Sequence, residues 1–282
     1  MVEVSKIGSS PQTRQSTVRQ GQPADWTVYD TFQMGTYVIG DIHGRSQLLE
    51  QLISNVPWDI TQDKIVFLGD LIDRGNDAPG VVSRVMELVQ DNPKIVVLRG
   101  NHEQMLLDCL DYGDLQWLIP ENGGLATLSS YGIELEQLKD ISDIRIPEEH
   151  IEFMRSLPYF HEDEQAIYVH AGLVPEVHPS ETDTDVLVWT RDLDFFKGYD
   201  GKLCFFGHTP TAFLPREGRN RRWGIYIHNS CVGIDTSGEE GSPLSCVQVE
   251  TFTLYQSYPS GITEVERLKK RKPAVSNARV SQ

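Results

Sequence analysis

Five short polar loops hold the residues whose types could do chemistry: GDIHG (40–44), GDLIDRG (69–75), RGNHE (99–103), HAG (170–172) and GHTP (207–210). Asp, His and Asn supply oxygen and imidazole donors that suit Mn, Fe or Zn and do not suit a thiolate-seeking ion. Asp41, His43, Asp70, Asn101, His170 and His208 are more donors than one tetrahedral metal needs. Two divalent cations sharing a carboxylate use them all, with Asp41, His43 and Asp70 around the first and Asp70, Asn101, His170 and His208 around the second. Asp70 is the natural bridge, because its loop leaves the middle of three sequential strands. Asp41, Asp70 and a bridging hydroxide then leave the cation pair about one net positive charge, which suits a phosphomonoester dianion. Arg74 and Arg99, beside these donors, can each fork two hydrogen bonds onto phosphate oxygens.

The elements that must position these loops are legible as apolar runs. TYVIG (36–40), KIVFLG (64–69) and KIVVLRG (94–100) have the near-continuous Val/Ile/Leu character of strands covered on both faces. SQLLEQLISN and APGVVSRVMELVQ, between them, carry apolar residues at helical spacing. Asp41 to Asp70 is 29 residues and Asp70 to Asn101 is 31, close to the ~30 of a strand, crossover helix and parallel strand. Each polar cluster therefore falls at the C-terminal edge of a strand, where open α/β sheets bind ligands. Residues 113–158 read as helical with turns. QAIYVHAGL, KLCFFGHTP, WGIYIHNS and the alternating LSCVQVETFTLY suggest a second, mixed sheet facing the first. The expected fold is an α/β sandwich of two mixed sheets packed face to face and flanked by helices. Its domain spans 35–258, between a polar leader (1–34) and a basic tail (259–282) with Lys269, Lys270, Arg271 and Lys272.

Bulk properties narrow the function classes. At 282 residues and 39% hydrophobic the chain can bury one substantial core. A net charge of −16 argues against nucleic-acid partners, which need clustered Lys and Arg, and favours basic or neutral ones. No apolar run is long enough to span a membrane and the N-terminus lacks a signal-peptide build, so the expected address is the cytoplasm; a monomer is the default expectation. Cys109, Cys204, Cys231 and Cys246 are widely spaced and read as free buried thiols.

GDIHG, GDLIDRG and RGNHE, in this order and spacing, resemble the metal-dependent Ser/Thr phosphoprotein phosphatases of the calcineurin-like metallophosphoesterases, most closely their bacterial and phage branch. The resemblance covers about residues 36–250, and HAG and GHTP complete the set. It implies a four-layer fold and the metal ligands given above. It also implies that Asp73 supports His102, that His102 protonates the leaving oxygen, and that Arg74 and Arg99 clamp phosphate. VLVWTRD (186–192) is similar to a tryptophan-arginine motif of the bacterial branch, making Arg191 a third clamp. The chain departs from the pattern at GIDTSG, where Ser237 is interposed in IDTG, and it has no clear counterpart of the eukaryotic tyrosine loop near HNSCVG.

The implied activity is hydrolysis of phosphoserine and phosphothreonine in proteins or peptides, extending to phosphotyrosine and aryl phosphates, by direct attack of the hydroxide bridging the two metals. An alternative on the same scaffold is a dinucleoside polyphosphate hydrolase, such as one acting on diadenosine tetraphosphate. That sister typically lacks DRG and reads GNHD, so Asp73, Arg74 and Glu103 favour the protein phosphatase. A non-catalytic docking module would have lost a ligand or the acid, and none is missing.

Overall fold

The computed structural model describes residues 34–215, 223–238 and 240–268. Residues 1–33 of the expected leader, 216–222, Glu239, and Lys269, Lys270, Arg271 and Lys272 of the expected tail lie outside the described residues. The chain opens with alternating strands and helices: β1 (Thr36–Ile39), α1 (Ser46–Asn55), β2 (Lys64–Phe67), α2 (Ala78–Asp91), β3 (Ile95–Val97) and α3 (Asn101–Tyr112). Strands β1, β2 and β3 pair in parallel, Ile39 opposite Phe67 and Phe67 opposite Val97. Short helices follow, including α4 (Gly124–Ser130) and α5 (Glu148–Ser156). Then come β4 (Phe160–Glu162), β5 (Ile167–Val169), α6 (Thr184–Trp189), α7 (Leu193–Gly198), β6 (Cys204–Phe206), β7 (Tyr226–His228) and β8 (Cys231–Gly233). The last strands are β9 (Leu244–Gln248), β10 (Thr253–Ser257) and β11 (Thr263–Arg267).

Two mixed sheets result, in the orders β11-β10-β9-β1-β2-β3 and β4-β5-β6-β8-β7. Strand alternation sorts side chains into layers. Val38, Val66 and Leu68 meet Tyr168, Phe205 and Val232 between the sheets, while Ile39, Ile65 and Phe67 pack outward against Leu49, Leu52, Val81 and Val85 of α1 and α2. Cys204 and Phe206 face outward onto Phe195 and Phe196 of α7. Helix, sheet, sheet, helix is the expected sandwich. Each fully buried Val, Leu or Phe contributes about 1.5–3 kcal/mol, so the layers hold rigidly the strand ends that carry the polar loops.

Two expectations about elements need correction. LSCVQVETFTLY is not a strand of the second sheet; it is the β9–β10 hairpin, joined antiparallel to the outer side of β1 (Val38 opposite Val247). Periodicity identifies a strand but not its partner. Residues 263–267, expected in the tail, form β11 against β10, Thr253 opposite Arg267. TEVER carries no apolar signal because it is a charged edge strand, the type that deters further pairing.

Candidate active site

The site forms where β1, β2, β3, β5 and β6 end. Cross-loop backbone hydrogen bonds join the first two loops: Ile42 and His43 N–H both donate to the Asp70 carbonyl (3.0 and 2.9 Å), and Gly44 N–H donates to the Leu71 carbonyl (2.8 Å). His43, Asp70, Asp73, Arg74 and His208 all adopt left-handed backbone, with φ between 50° and 72°. Such residues persist only where surroundings over-determine them. Here Glu103, in the first turn of α3, is the clamp. Its carboxylate, fully buried, accepts from the N–H groups of Asp70 (2.9 Å), Leu71 (2.8 Å) and Gly100 (2.9 Å). Burial and the nearby Asp70 charge push its pKa up to about 7, against the pull of those N–H donors.

Two donor clusters share Asp70: His43, Asp70 and His102 in one, Asp70, His170 and His208 in the other, all buried. Asp70 Oδ2 lies 3.6 Å from His43 Nε2 and 3.8 Å from His102 Nε2, and its Oδ1 lies 3.3 Å from His170 Nε2. Asn101 Oδ1 joins the second cluster, 2.9 Å from His170 Nε2 and 2.8 Å from His208 Nδ1. His43 Nδ1 and His170 Nδ1 meet the carbonyls of Ile72 (3.0 Å) and Leu68 (2.8 Å), which fixes each ring and leaves Nε2 for the site. Asp41 Oδ2 accepts from His208 N–H (3.0 Å), while Asp41 Oδ1 and His208 Nε2 are buried without a partner.

These electrostatics fit bound cations. Burial would raise the Asp70 carboxyl, but the imidazoles around it, His170 foremost, hold it far below the carboxylate range. Burial and the neighbouring Asp235 and Asp70 charges push Asp41 well up. Burial, helped by Arg74, pushes His43 down, and burial with His170 takes His208 down to about 2. Neutral imidazoles and crowded carboxylates with orphaned donor atoms are what a divalent ion would satisfy, so Asp41, His43, Asp70, Asn101, His170 and His208 can hold a metal pair.

His102 sits in a different network. Its Nδ1 meets Asp73 Oδ2 at 2.6 Å, and Asp73 Oδ1 accepts from Trp117 Nε1–H (2.9 Å) and Thr127 Oγ1–H (2.7 Å). Burial would lower the His102 pKa, yet Asp70 and Asp73 raise it on balance. Arg74 Nη2 lies 3.0 Å from His102 Nε2, and its Nη1 adjoins His43 Nε2. A cleft of about 720 Å³ opens here, lined by His43, His208, Arg74, Arg191, Arg45 and Phe213 among others.

The structure thus brings together every expected site residue except one. Arg99 is absent from the cleft wall: Nη1 donates to Gln104 Oε1 (3.0 Å) and Tyr159 Oη (2.9 Å), Nη2 to the Arg155 carbonyl, and the guanidinium stacks on the Tyr159 ring. Asn101 is the first residue of α3 and Arg99 lies before its N-cap Gly100, so the chain changes direction between them and closeness in sequence to Asn101 does not deliver Arg99 to phosphate. Sequence reasoning missed Arg45, which follows GDIHG directly and could have been found by that position. It also missed Trp117 and Thr127, which reach Asp73 from 44 and 54 residues away with no local signal.

A family model described as Calcineurin-like phosphoesterase matches residues 34–212. A symmetrical bis(5'-nucleosyl)-tetraphosphatase of Nitrosospira multiformis is 32% identical over 142 residues, 50% of this chain and 45% of that protein. One of Coxiella burnetii is 31% identical over 200 residues, 67% of this chain and 60% of that protein. The aligned part therefore spans only about half of these curated relatives, 45% and 60% of their lengths. A crystal structure of a provisionally assigned diadenosine tetraphosphatase superposes with a TM-score of 0.56 at 20% identity, covering 84% of this chain and 94% of the other, and speaks for the fold. These relatives overturn the expectation of a phosphoprotein phosphatase with phosphorylated protein or peptide partners. The discriminators failed for a physical reason. Glu103 holds loop backbone, the Asp73 carboxylate faces His102, Trp117 and Thr127, and the Arg74 guanidinium meets His43 and His102, so none of the three is placed to read what lies beyond a phosphate.

Proposed function

The chain belongs to the calcineurin-like phosphoesterase family, and from that premise we propose that it is a metal-dependent hydrolase of dinucleoside tetraphosphates, splitting them symmetrically into two nucleoside diphosphates. The observation that carries this reading is the likeness to symmetrical tetraphosphatases at 31–32% identity. The cleft supports it: Arg74 and Arg191 line about 720 Å³, with Arg45 beside them donating to the Ile42 and Asp41 carbonyls, more room than one phosphoryl group needs.

In the proposed reaction Asp41, His43 and Asp70 would hold one divalent ion and Asp70, Asn101, His170 and His208 the other. Such a pair would supply Lewis acidity and lower the pKa of water at the site, and the oxygen and nitrogen donors would accept Mn, Fe or Zn alike. The chain's own residues do the rest. Arg74 and Arg191 hold the phosphate oxygens at the reacting phosphorus, where forked hydrogen bonds stabilise the charge that spreads as the bridge breaks. Water oxygen bonds to one central phosphorus, the bond from that phosphorus to the bridging oxygen breaks, and the second nucleoside diphosphate departs. Asp73 keeps the His102 proton at Nδ1 engaged, so that Nε2 is the atom that delivers a proton to the leaving oxygen. The test is turnover by metal-loaded enzyme of diadenosine tetraphosphate against a phosphoserine peptide. The proposal expects kcat/KM to favour the nucleotide by about 10²-fold or more; preference for the peptide overturns it.

A further inference from the structure

One wall of the cleft has no part in phosphate chemistry. Phe213 lines it with 78% of its surface exposed, and it alone among the described phenylalanines is exposed. Phe67, Phe195, Phe196, Phe205, Phe206 and Phe252 are all buried. A benzyl group left in water forgoes the stabilisation those six gain, and this one stands on the cleft that holds the candidate site.

Its backbone is firmly held. Thr211 N–H donates to the Asp235 carbonyl (2.8 Å), Phe213 N–H to the Pro210 carbonyl (2.8 Å) and Thr211 Oγ1–H to the Gly224 carbonyl (2.9 Å), while Leu214 beside it is buried. The ring stands five residues beyond His208, on the same cleft as Arg45, Arg74 and Arg191. An exposed aromatic ring on a held backbone, beside the Arg74 and Arg191 guanidinium groups, matches both halves of a nucleotide: the flat base stacks on the ring and the phosphates take the forked N–H donors. A phosphate chain without a base would use only the second half.

Resting on the tetraphosphatase reading, we infer that Phe213 is the platform on which one nucleobase of the substrate stacks, and that it sets the preference for nucleotide over bare polyphosphate. Titration calorimetry of wild type, Phe213→Ala and Phe213→Trp tests this with two probes, a methylene-bridged, non-hydrolysable diadenosine tetraphosphate and inorganic tripolyphosphate. Phe213→Ala raises the Kd of the dinucleotide analogue by roughly 5- to 150-fold, the range base-aromatic stacking spans. The tripolyphosphate Kd stays unchanged, and Phe213→Trp keeps the wild-type affinity for both. Equal affinities of wild type and Phe213→Ala for the dinucleotide, or parallel weakening of both probes, overturn the platform. Turnover of diadenosine tetraphosphate by the wild type separates the two levels. If it persists while the calorimetry is flat, only the platform falls; if the wild type hydrolyses other phosphates but not this one, the substrate reading falls and the platform with it.

Discussion

His102 joins two networks at one ring. Nδ1 is tied to Asp73, which Trp117 and Thr127 lock from the far side, and Nε2 lies 3.0 Å from Arg74 Nη2. An imidazole so braced is oriented for the proton delivery proposed for it, and removing it should lower the rate without emptying the centre. His102→Ala is expected to cut kcat by roughly 10²–10⁴, as for other general acids. On a phosphoanhydride the loss should lie near the lower bound, because a diphosphate leaving oxygen is far less basic than an alkoxide. Metal content by mass spectrometry should be unchanged, and loss of an ion would reassign His102 to coordination. At this scale the six donors were legible because each sits in a short motif after a strand. The supports were not, since Trp117 and Thr127 approach Asp73 through tertiary packing alone. Arg99 shows the converse failure: a residue two positions before Asn101 that spends its guanidinium on Gln104, Tyr159 and Arg155.

The loops after β1 and β2 work only when pressed together, and glycines make the contact. A Cβ on Gly75 would stand 2.1 Å from the His43 carbonyl oxygen and 2.6 Å from Gly44 C, both backbone atoms that cannot swing aside. Gly75→Ala should therefore push the two loops apart, destabilising the fold by about 1–3 kcal/mol in urea melts. Turnover should drop by about 10²-fold or more, since misplacement by an ångström suffices for that. Gly198→Ala, where nothing lies within 4 Å, is the control and should leave turnover unchanged. The same elements show what a sequence can reveal. β1, β2 and β3 were legible because strands buried on both faces read as unbroken apolar runs, and the ~30-residue spacing fixed their crossovers. The β9–β10 hairpin was legible as extended chain but not as a neighbour of β1. Its turn, at Val249 to Phe252, contains neither Gly nor Pro, although Phe252 takes φ 56° there. β11 gave no signal, because an exposed edge strand is written in polar residues.

At the scale of the whole molecule, a chain of net charge −16 is proposed to bind a polyanion. The two are compatible because screening confines electrostatics to a Debye length of about 8 Å, so the local arginines and cations decide. The sequence-level inference of a basic or neutral partner averaged over a surface the substrate never meets. Among the described residues no helix is long and apolar enough to cross a membrane. Ions bound only by the folded chain also stabilise it: at a hundredfold excess over Kd the gain is about 2.7 kcal/mol, or roughly 5–10 °C in melting temperature at this size. Calorimetric scans with and without a chelator should show that shift, reversed by adding back Mn²⁺ or Zn²⁺, and identical scans would argue against a resident metal pair. The most direct measurement of the central claim is product analysis by chromatography after metal-loaded enzyme has acted on diadenosine tetraphosphate. Symmetric cleavage predicts ADP as the single nucleotide product, formed in two equivalents per substrate; AMP with ATP, or intact substrate beside a hydrolysed phosphopeptide, would contradict it.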